Sequence, residues 1–384
     1  MSTTPSGTYV SSEGRAPGYG RARLWVGISG VGTMVTLTTA ALAAGLPAAV
    51  DAMVSPGVGA AALALAVYSI SHAAVQLPFD LFGGHLLPVW YGRSRQGLRT
   101  FLGRLLRGAV VYACVLCVSL VALLAAGRVG GVWGVVAVGA VASFLLLWGR
   151  MAVARSLARL GVESSGGQLP DVTVASDDEG FTGGVLGVVR PRRVVLPARW
   201  QVSLTPEQLA CVRLRRELAG TSGTWRRGRM LALAFTLSGV GLSAAIVGPG
   251  RLGSAGGTIE LSLWFTLWSF VGLLILPTVS RRGVAELDAY VRAAGVSETL
   301  AKATARALDA DQDDEPERPA LVETIFHPIP SVGNRDHAVA RPAPGAWDAA
   351  RTAVYLGLAG GGLLGRAVHC NCGRPALWAF LPVD

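Results

Sequence analysis

The sequence predicts an α-helical polytopic membrane protein with about six transmembrane helices and a small α+β cytoplasmic domain. Of its 384 residues 51% are apolar and only 15% are charged, whereas soluble domains carry about 25% charged residues. Apolar runs without charge recur along the chain, and each is close to the ~20 residues that a helix needs to cross a bilayer. A stretch of ordinary soluble composition interrupts these runs at residues 150–229.

Composition divides the chain into six regions. Residues 1–23 are rich in Gly, Ser, Thr and Pro and predict a disordered cytoplasmic tail. Four transmembrane helices are expected within residues 24–149, with a basic loop at 92–107 that has five arginines and no acid. The expected helices are 24–50, 52–79, 108–127 and 129–149, followed within residues 230–280 by 230–250 and 261–280.

Two polar regions and an apolar end complete this division. The insert 150–229 and the downstream region 281–340 are both predicted to be cytoplasmic, and the acidic run 309–319 to be a solvated linker. In the C-terminal region 341–384, the apolar piece 352–365 is too short to span a membrane. It predicts a packed or interfacial helix.

The arginines orient the chain. Basic loops alternate with loops that are nearly free of arginine, and arginine-rich loops stay in the cytoplasm. The pattern predicts a multi-pass protein of the bacterial plasma (inner) membrane with both termini in the cytoplasm and the lipid bilayer as its partner. Since the arginines lie beside apolar runs, the net charge of +10 favours control of topology over binding of nucleic acid.

The insert 150–229 predicts a small sheet followed by a helix. Runs typical of strands occur at 171–175, 185–189 and 193–196. Thr205 is a good N-cap for the helix 205–220, Pro206 suits its first position, and Gln208 completes a capping box. Cys211, with leucines three and seven residues later, predicts the buried stripe of this helix.

Four stretches in this order resemble the membrane gluzincin metallopeptidases, the family of the CAAX prenyl endopeptidases and the HtpX-type peptidases. They cover residues 70–340: the segments 77–82 and 91–96, the strand pair around 181–187 and 195–197, the helix 205–220, and the residues 286–290 with His327 and Pro328. The resemblance implies a metallopeptidase-like cytoplasmic domain. It also implies zinc, which that family uses as its cofactor.

The resemblance aligns the three zinc ligands of the family with Arg216, Gly220 and Val284. None of these can bind zinc, since an arginine stays protonated and the other two offer no donor atom. Two of the family's other residues remain, Glu217 as the relic general base and Asp288 as the relic supporting acid. The chain therefore resembles a degenerate member that lacks the zinc ligands, and no cofactor is expected at this place.

Each of these residues has an alternative interpretation. The favoured interpretation of Glu217 is a helical glutamate paired with Arg213 one turn earlier. The guanidinium of Arg216 replaces the missing zinc charge by pairing with Glu286 or Asp288, or it belongs to a basic surface that faces anionic lipid.

Histidines and cysteines give further candidates for a metal site. His327, His337 and His369 are candidate ligands together with Glu286 or Asp288. His369, Cys370 and Cys372 place three potential ligands within four residues, but a fourth ligand is missing, and the alternative is a turn of reduced cysteines. Near the end of the second span, His72 and His85 with Asp80 between them predict either a proton relay or an interfacial position.

The sequence thus favours a pseudopeptidase that binds membrane proteins or scaffolds an assembly. Its ligand would be a membrane protein or a peptide, bound in the old substrate groove beside the strand 181–189 by strand addition. One alternative is an active zinc metalloendopeptidase with a non-standard site. The other is a channel or transporter that uses the helical bundle itself.

Overall fold

The computed structural model describes residues 18–55, 57–158, 160–187 without the loop 165–170, 192–335 and 343–383. Residues 1–17 of the predicted tail, the end of the predicted strand 185–189 and His337 therefore lie outside the described residues. The last five residues of the predicted tail, 19–23, are not disordered but form the first turns of a helix. The chain is predominantly helical with one small sheet, which confirms the predicted fold class.

Within the described parts of the chain, five helices are long and apolar enough to cross a membrane. The first, α1, covers Tyr19–Ala43 and ends at Gly45, whose φ of 68° reverses the chain into the short helix α2, Leu46–Met53. The predicted first span therefore ends too late. Its last residues belong to α2, which includes Asp51.

The second spanning helix, α3, covers Val58–Leu81 and continues through a π-helical turn at Phe82–Leu86 into α4, Leu87–Trp90. Pro78 lies inside α3, and π-helical turns of this kind are frequent at functional sites.

The third, α5, covers the 51 residues Leu98–Trp148 but is broken at Gly131 (φ 52°, ψ −138°). Gly134 lies against the carbonyl oxygen of Ala126, although eight residues of straight helix would separate the two by about 12 Å. The chain therefore turns back at Gly131. The two arms of α5 correspond to the predicted third and fourth spans. Because one of the five helices consists of two such arms, five helices agree with the predicted number of about six crossings.

The polar insert begins with α6, Arg150–Ala158, and contains a four-stranded sheet of order β1-β2-β4-β3. Strand β2 runs parallel to β4, with Val172 opposite Val195, and β3 is antiparallel to β4 at the edge of the sheet. Three of these strands overlap the predicted runs, whereas β1 was not predicted. The strands are β1 Gly161–Ser164, β2 Val172–Ala175, β3 Gly184–Leu186 and β4 Arg193–Pro197.

Two helices follow the sheet, α7 at Trp200–Ser203 and α8 at Pro206–Thr221. The fourth and fifth spanning helices are α9, Thr224–Val247, and α10, Ala255–Ala293. Because α10 is 39 residues long, about 58 Å, it is longer than a bilayer is thick and continues beside α8 of the polar insert.

The acidic run at 309–319 is not a solvated linker. It begins inside α11, Glu298–Gln312, and its buried Arg318 lies within 3.5 Å of carboxylates of Asp309, Asp313 and Glu315. The run was predicted as solvated because its charges were counted without the arginine that neutralises them. The short helices α12, Ala320–Phe326, and α13, Val332–Arg335, follow.

The C-terminal region lies inside the helical bundle. Helix α14, Ala349–Leu356, is followed by 3-10 turns and by α15, Pro375–Ala379. Gly361 packs against Leu120 of α5, and its carbonyl oxygen accepts a hydrogen bond from Ser262 of α10. The piece 352–365 is thus packed among the spanning helices, where non-helical backbone is tolerated because surrounding protein satisfies its polar groups.

Candidate functional site

Helix α8 forms as its sequence predicts. The Thr205 side chain accepts a hydrogen bond from the Gln208 amide, the Gln208 side chain accepts one from the Thr205 amide, and Pro206 occupies the first turn. This reciprocal cap fixes the start of the helix, and so fixes which side chains point towards α10.

The buried face of α8 is more polar than the predicted stripe. Cys211 is buried as expected, but the leucines that follow it are only half-buried, whereas Arg215 and Arg216 are buried. The stripe was wrong because arginines were assigned to the surface, yet a guanidinium can be buried when its donors are satisfied.

Arg216 is anchored to the sheet. Its guanidinium donates to the carbonyl oxygens of Val195 at 2.5 Å and Thr182 at 2.7 Å, and it lies 5.1 Å from the ring centre of Trp200. The side chain is fully buried. It therefore joins α8 to the β3–β4 pair, and the interpretation as a surface that faces lipid is wrong for Arg216.

The two acids expected to pair with Arg216 are bound by other arginines. Arg215 donates to Asp288 and to the Val284 carbonyl oxygen. Arg227 donates to both carboxylate oxygens of Glu286 at 2.7 Å. Arg215 therefore makes the ion pair that was expected of Arg216. Consecutive side chains on a helix point about 100° apart, so Arg215 faces α10 whereas Arg216 faces the sheet.

The residues at the other two aligned ligand positions, Gly220 and Val284, are packed against neighbouring side chains. The backbone carbonyl of Gly220 accepts a hydrogen bond from Arg192, whose side chain lies 3.4 Å from where a Cβ at position 220 would stand. Val284 is buried in an apolar cluster with Ala219, Trp225, Trp347 and Val383. The place that the resemblance assigns to zinc therefore holds guanidinium groups and apolar side chains, and it does not fit the metal.

Glu217 is half-buried, and one of its carboxylate oxygens has no hydrogen-bond partner among the described residues. Burial, and secondarily the negative charge of Asp171, raise the pKa of Glu217 above its ordinary value, although Arg213 opposes the shift. Arg213 itself forms an ion pair with Asp171 at 2.7 Å. The predicted partner of Glu217 is therefore bound to a carboxylate at the start of β2, and it acts on Glu217 through its charge.

Residues 380–383 pack against β3 and the segment that precedes it. Val383 lies 3.8 Å from the Cβ position of Gly184, and its carbonyl oxygen accepts a hydrogen bond from Trp347. Phe380 packs edge-on against Phe181 with ring centres 5.7 Å apart. Residues 380–383 are buried against the strand beside which a peptide was expected to bind by strand addition, and that binding stays a prediction.

One group of three potential metal ligands occurs among the described residues, and none of the three belongs to α8. Ligand atoms of Asp313, His327 and His369 are all within 4.8 Å of one another, and all three residues are buried. Burial lowers the pKa of His369 to about 3 and that of His327 well below its ordinary value. Both imidazoles are therefore neutral at physiological pH.

The two cysteines next to His369 do not join this group. The thiol of Cys370 accepts a hydrogen bond from Arg351 and donates one to Asn371, whereas Cys372 donates to backbone carbonyls. Burial raises the pKa of Cys372, so it remains a thiol. Of the predicted trio His369, Cys370 and Cys372, only the histidine faces other ligands.

Within the bundle, His72 and Asp80 are buried rather than interfacial. Asp80 forms a fully buried ion pair with Arg366 of the C-terminal region, and it accepts a hydrogen bond from the Gly373 amide at 2.7 Å. Ser69 and Gln76 lie on the same buried face of α3. The interfacial interpretation was wrong because no pattern in the sequence indicated that Arg366, 286 residues from Asp80, would be its partner.

A large cavity opens beside the basic loop. Its volume is about 1000 Å³, and the five arginines of the basic loop, together with Arg374, line it opposite an acidic turn at residues 177–179. Arg93 and Arg104 form ion pairs with Asp314 and Asp177. Arg95 and Arg99 are exposed and form no hydrogen bond or ion pair with the described part of the chain. We call this the arginine cavity, lined by Arg93, Arg95, Arg99, Arg104 and Arg107.

Comparison with known proteins gives a structural relative but no relative in sequence. The structure is similar to the crystal structure of S. mikatae Ste24p, with a TM-score of 0.61 over 75% of this chain and 76% of that chain, at 13% identity. No protein-family model matches the chain, and no curated protein matches its sequence. The similarity shows that the two proteins share a polytopic membrane fold.

Sequence reasoning missed three features of these sites. Asp313 was placed in a linker, Arg366 was not considered, and the end of the chain at 380–383 was not connected with β3. Only the last had a signal in the sequence, because an apolar stretch that follows a polar turn must be buried somewhere. The other two depend on contacts between distant segments.

Proposed function

We propose that this protein is a membrane-embedded homologue of the metallopeptidases that does not cleave peptides through the aligned site. Ste24p is a CAAX prenyl protease, which agrees with the family that the motifs resemble. The observation that carries the proposal is the packing at Arg216, Gly220 and Val284, where guanidinium hydrogen bonds and apolar contacts stand in place of metal ligands. A catalytic zinc needs three protein ligands and an open position.

The non-catalytic role we propose is binding of a cytoplasmic segment of another membrane protein in the arginine cavity. With a volume of about 1000 Å³ the cavity is large enough for a short peptide segment. Arg95 and Arg99 favour a partner that carries acidic residues. The groove beside β3 is the weaker choice, because residues 380–383 already pack against that strand.

This proposal is tested with a photo-crosslinking residue at Thr100, which is exposed in the arginine cavity. In native membranes we expect a protein adduct that is lost when Arg95 and Arg99 are both changed to Gln. Changing Arg155 and Arg226 to Gln removes two other exposed arginines and should leave the adduct. Adducts with lipid alone, or a protein adduct that persists in the Arg95→Gln/Arg99→Gln variant, would contradict the proposal.

A transport function has one observation in its favour. His72 and Gln76 are buried one helical turn apart on α3, and each has two polar side-chain atoms without a partner among the described residues. Buried polar groups inside a membrane helix often mark a pathway for ions or protons. Proton flux across proteoliposomes that disappears in His72→Leu would favour this alternative over the binding role.

A further inference from the structure

Three distant segments bring Asp313, His327 and His369 together. Asp313 follows the last residue of α11, His327 follows α12, and His369 lies in the turn between the 3-10 segment and α15. The two imidazole rings are 4.9 Å apart, and the Nε2 atom of His369 is 3.9 Å from a carboxylate oxygen of Asp313. This geometry places two nitrogens and one oxygen around a common point.

The two imidazoles have unused ligand atoms. The Nε2 atoms of His327 and His369 are buried and have no hydrogen-bond partner among the described residues. Leaving a buried polar atom unpaired costs about 1–3 kcal/mol. A small cavity of about 20 Å³ adjoins the group and is lined by Cys370 among others, so there is room for about one water molecule.

We propose that Asp313, His327 and His369 bind a divalent transition-metal ion, with zinc as the reference ion. Imidazole nitrogen is a preferred ligand of zinc and its neighbours, whereas calcium and magnesium prefer oxygen ligands alone. The small cavity leaves the fourth position to water. This site is separate from the positions aligned with the zinc ligands of the family.

Nearby arginines limit how tightly the ion binds. Arg23 and Arg318 contact the Asp313 carboxylate at 3.3 and 3.5 Å, and Arg351 donates to Cys370. Five arginines line the small cavity: Arg23, Arg318, Arg335, Arg351 and Arg374. The contacts of Arg23 and Arg318 hold the carboxylate in position, but the charges of all five arginines repel a cation. Because Arg318 is partly neutralised by Asp309 and Glu315, we expect an ion that binds reversibly and is removed by chelators.

The ion would connect three segments without supporting hydrolysis. A cavity of about 20 Å³ admits a water molecule but excludes a peptide, so a metal at this site has no access to a peptide bond. Its expected effect is to join α11, α12 and the C-terminal region. Zinc binding should therefore raise the melting temperature of the protein.

The test is zinc binding by the purified full chain after treatment with chelator, measured by equilibrium dialysis and elemental analysis. We expect one zinc per chain and a zinc-dependent rise in melting temperature. Both should be lost in His327→Gln and in His369→Gln, but kept in His85→Gln, a buried histidine elsewhere in the bundle. Undiminished zinc in the first two variants, or no zinc bound by the unmodified chain, would overturn the proposal.

X-ray absorption on the zinc-loaded unmodified chain gives a second test that does not depend on how well the variants fold. Two imidazole ligands and a shell of light atoms are expected around the zinc. A shell dominated by sulfur would place the ion at the cysteines and would also overturn the proposal. Neither test measures binding in the arginine cavity, so the two proposals fail separately.

Discussion

At the scale of single residues, Arg216 stands at a position aligned with a metal ligand, and its side chain joins α8 to the β3–β4 pair. Its guanidinium binds two strand carbonyls and is fully buried. Truncation leaves those carbonyls without their donor, so Arg216→Ala should lower the free energy of unfolding by about 2–4 kcal/mol. Thermal unfolding in detergent measures this. Arg226→Ala, an exposed arginine nearby, is the control, and equal melting temperatures for the two variants would contradict this role.

The raised pKa of Glu217 predicts that the stability of the protein depends on pH. Because the folded state raises its pKa, ionisation of Glu217 opposes folding, and its favourable contribution is lost as the pH rises through the raised pKa. Glu217→Gln should therefore stabilise the protein modestly at pH 7, by a fraction of a kcal/mol, since the group is largely exposed to solvent screening.

Below the ordinary glutamate pKa of about 4.3, the difference between Glu217→Gln and the unmodified chain should vanish. Melting temperatures of both proteins across pH 4 to 8 check this sign. A variant that is less stable than the unmodified chain at pH 7 would show that the carboxylate is held by a favourable contact. Glu207→Gln, on the exposed first turn of α8, is the matched control.

At the scale of elements, the Asp80–Arg366 pair attaches the C-terminal region to α3. Removing one member leaves an uncompensated buried charge, so Arg366→Ala should cost about 3–5 kcal/mol. Changing both residues, Asp80→Leu with Arg366→Met, should recover most of that loss because no charge remains buried. Unfolding of the single and double variants in detergent measures the difference. A double variant as unstable as the single one would show that the pair acts through its hydrogen bonds to backbone.

The same scale shows where prediction from the sequence succeeds and where it fails. Capping residues and β-branched runs determine local structure, so α8 at Pro206–Thr221 and three strands were predicted closely. The break at Gly131 was also close to the predicted boundary at Arg128. Contacts between segments hundreds of residues apart, such as Asp80 with Arg366 or Asp313 with His369, leave no periodicity in the sequence and were not predicted.

At the scale of the whole molecule, the fold resembles that of Ste24p, whereas the aligned ligand positions hold residues that do not bind zinc. The fold is shared with Ste24p over three quarters of both chains. The aligned ligand positions instead hold a buried arginine, a glycine against a second arginine, and a valine in an apolar cluster. A fold does not determine an activity, which depends on the residues of the site.

The metal content of the protein does not by itself distinguish a peptidase from a pseudopeptidase. Zinc at Asp313, His327 and His369 would be compatible with both, because that group is separate from α8. A decisive experiment must therefore follow bond cleavage and must include a change at Glu217, the residue aligned with the general base.

That measurement is hydrolysis of a casein-like substrate by the purified full chain in detergent and in liposomes, with added zinc, with and without chelator. Glu217→Gln is the matched variant, since it keeps the shape of the side chain and removes its basicity. The account predicts no cleavage above background, and no difference between the unmodified chain and Glu217→Gln. Chelator-sensitive cleavage that disappears in Glu217→Gln would contradict it and would establish an active peptidase with a non-standard site.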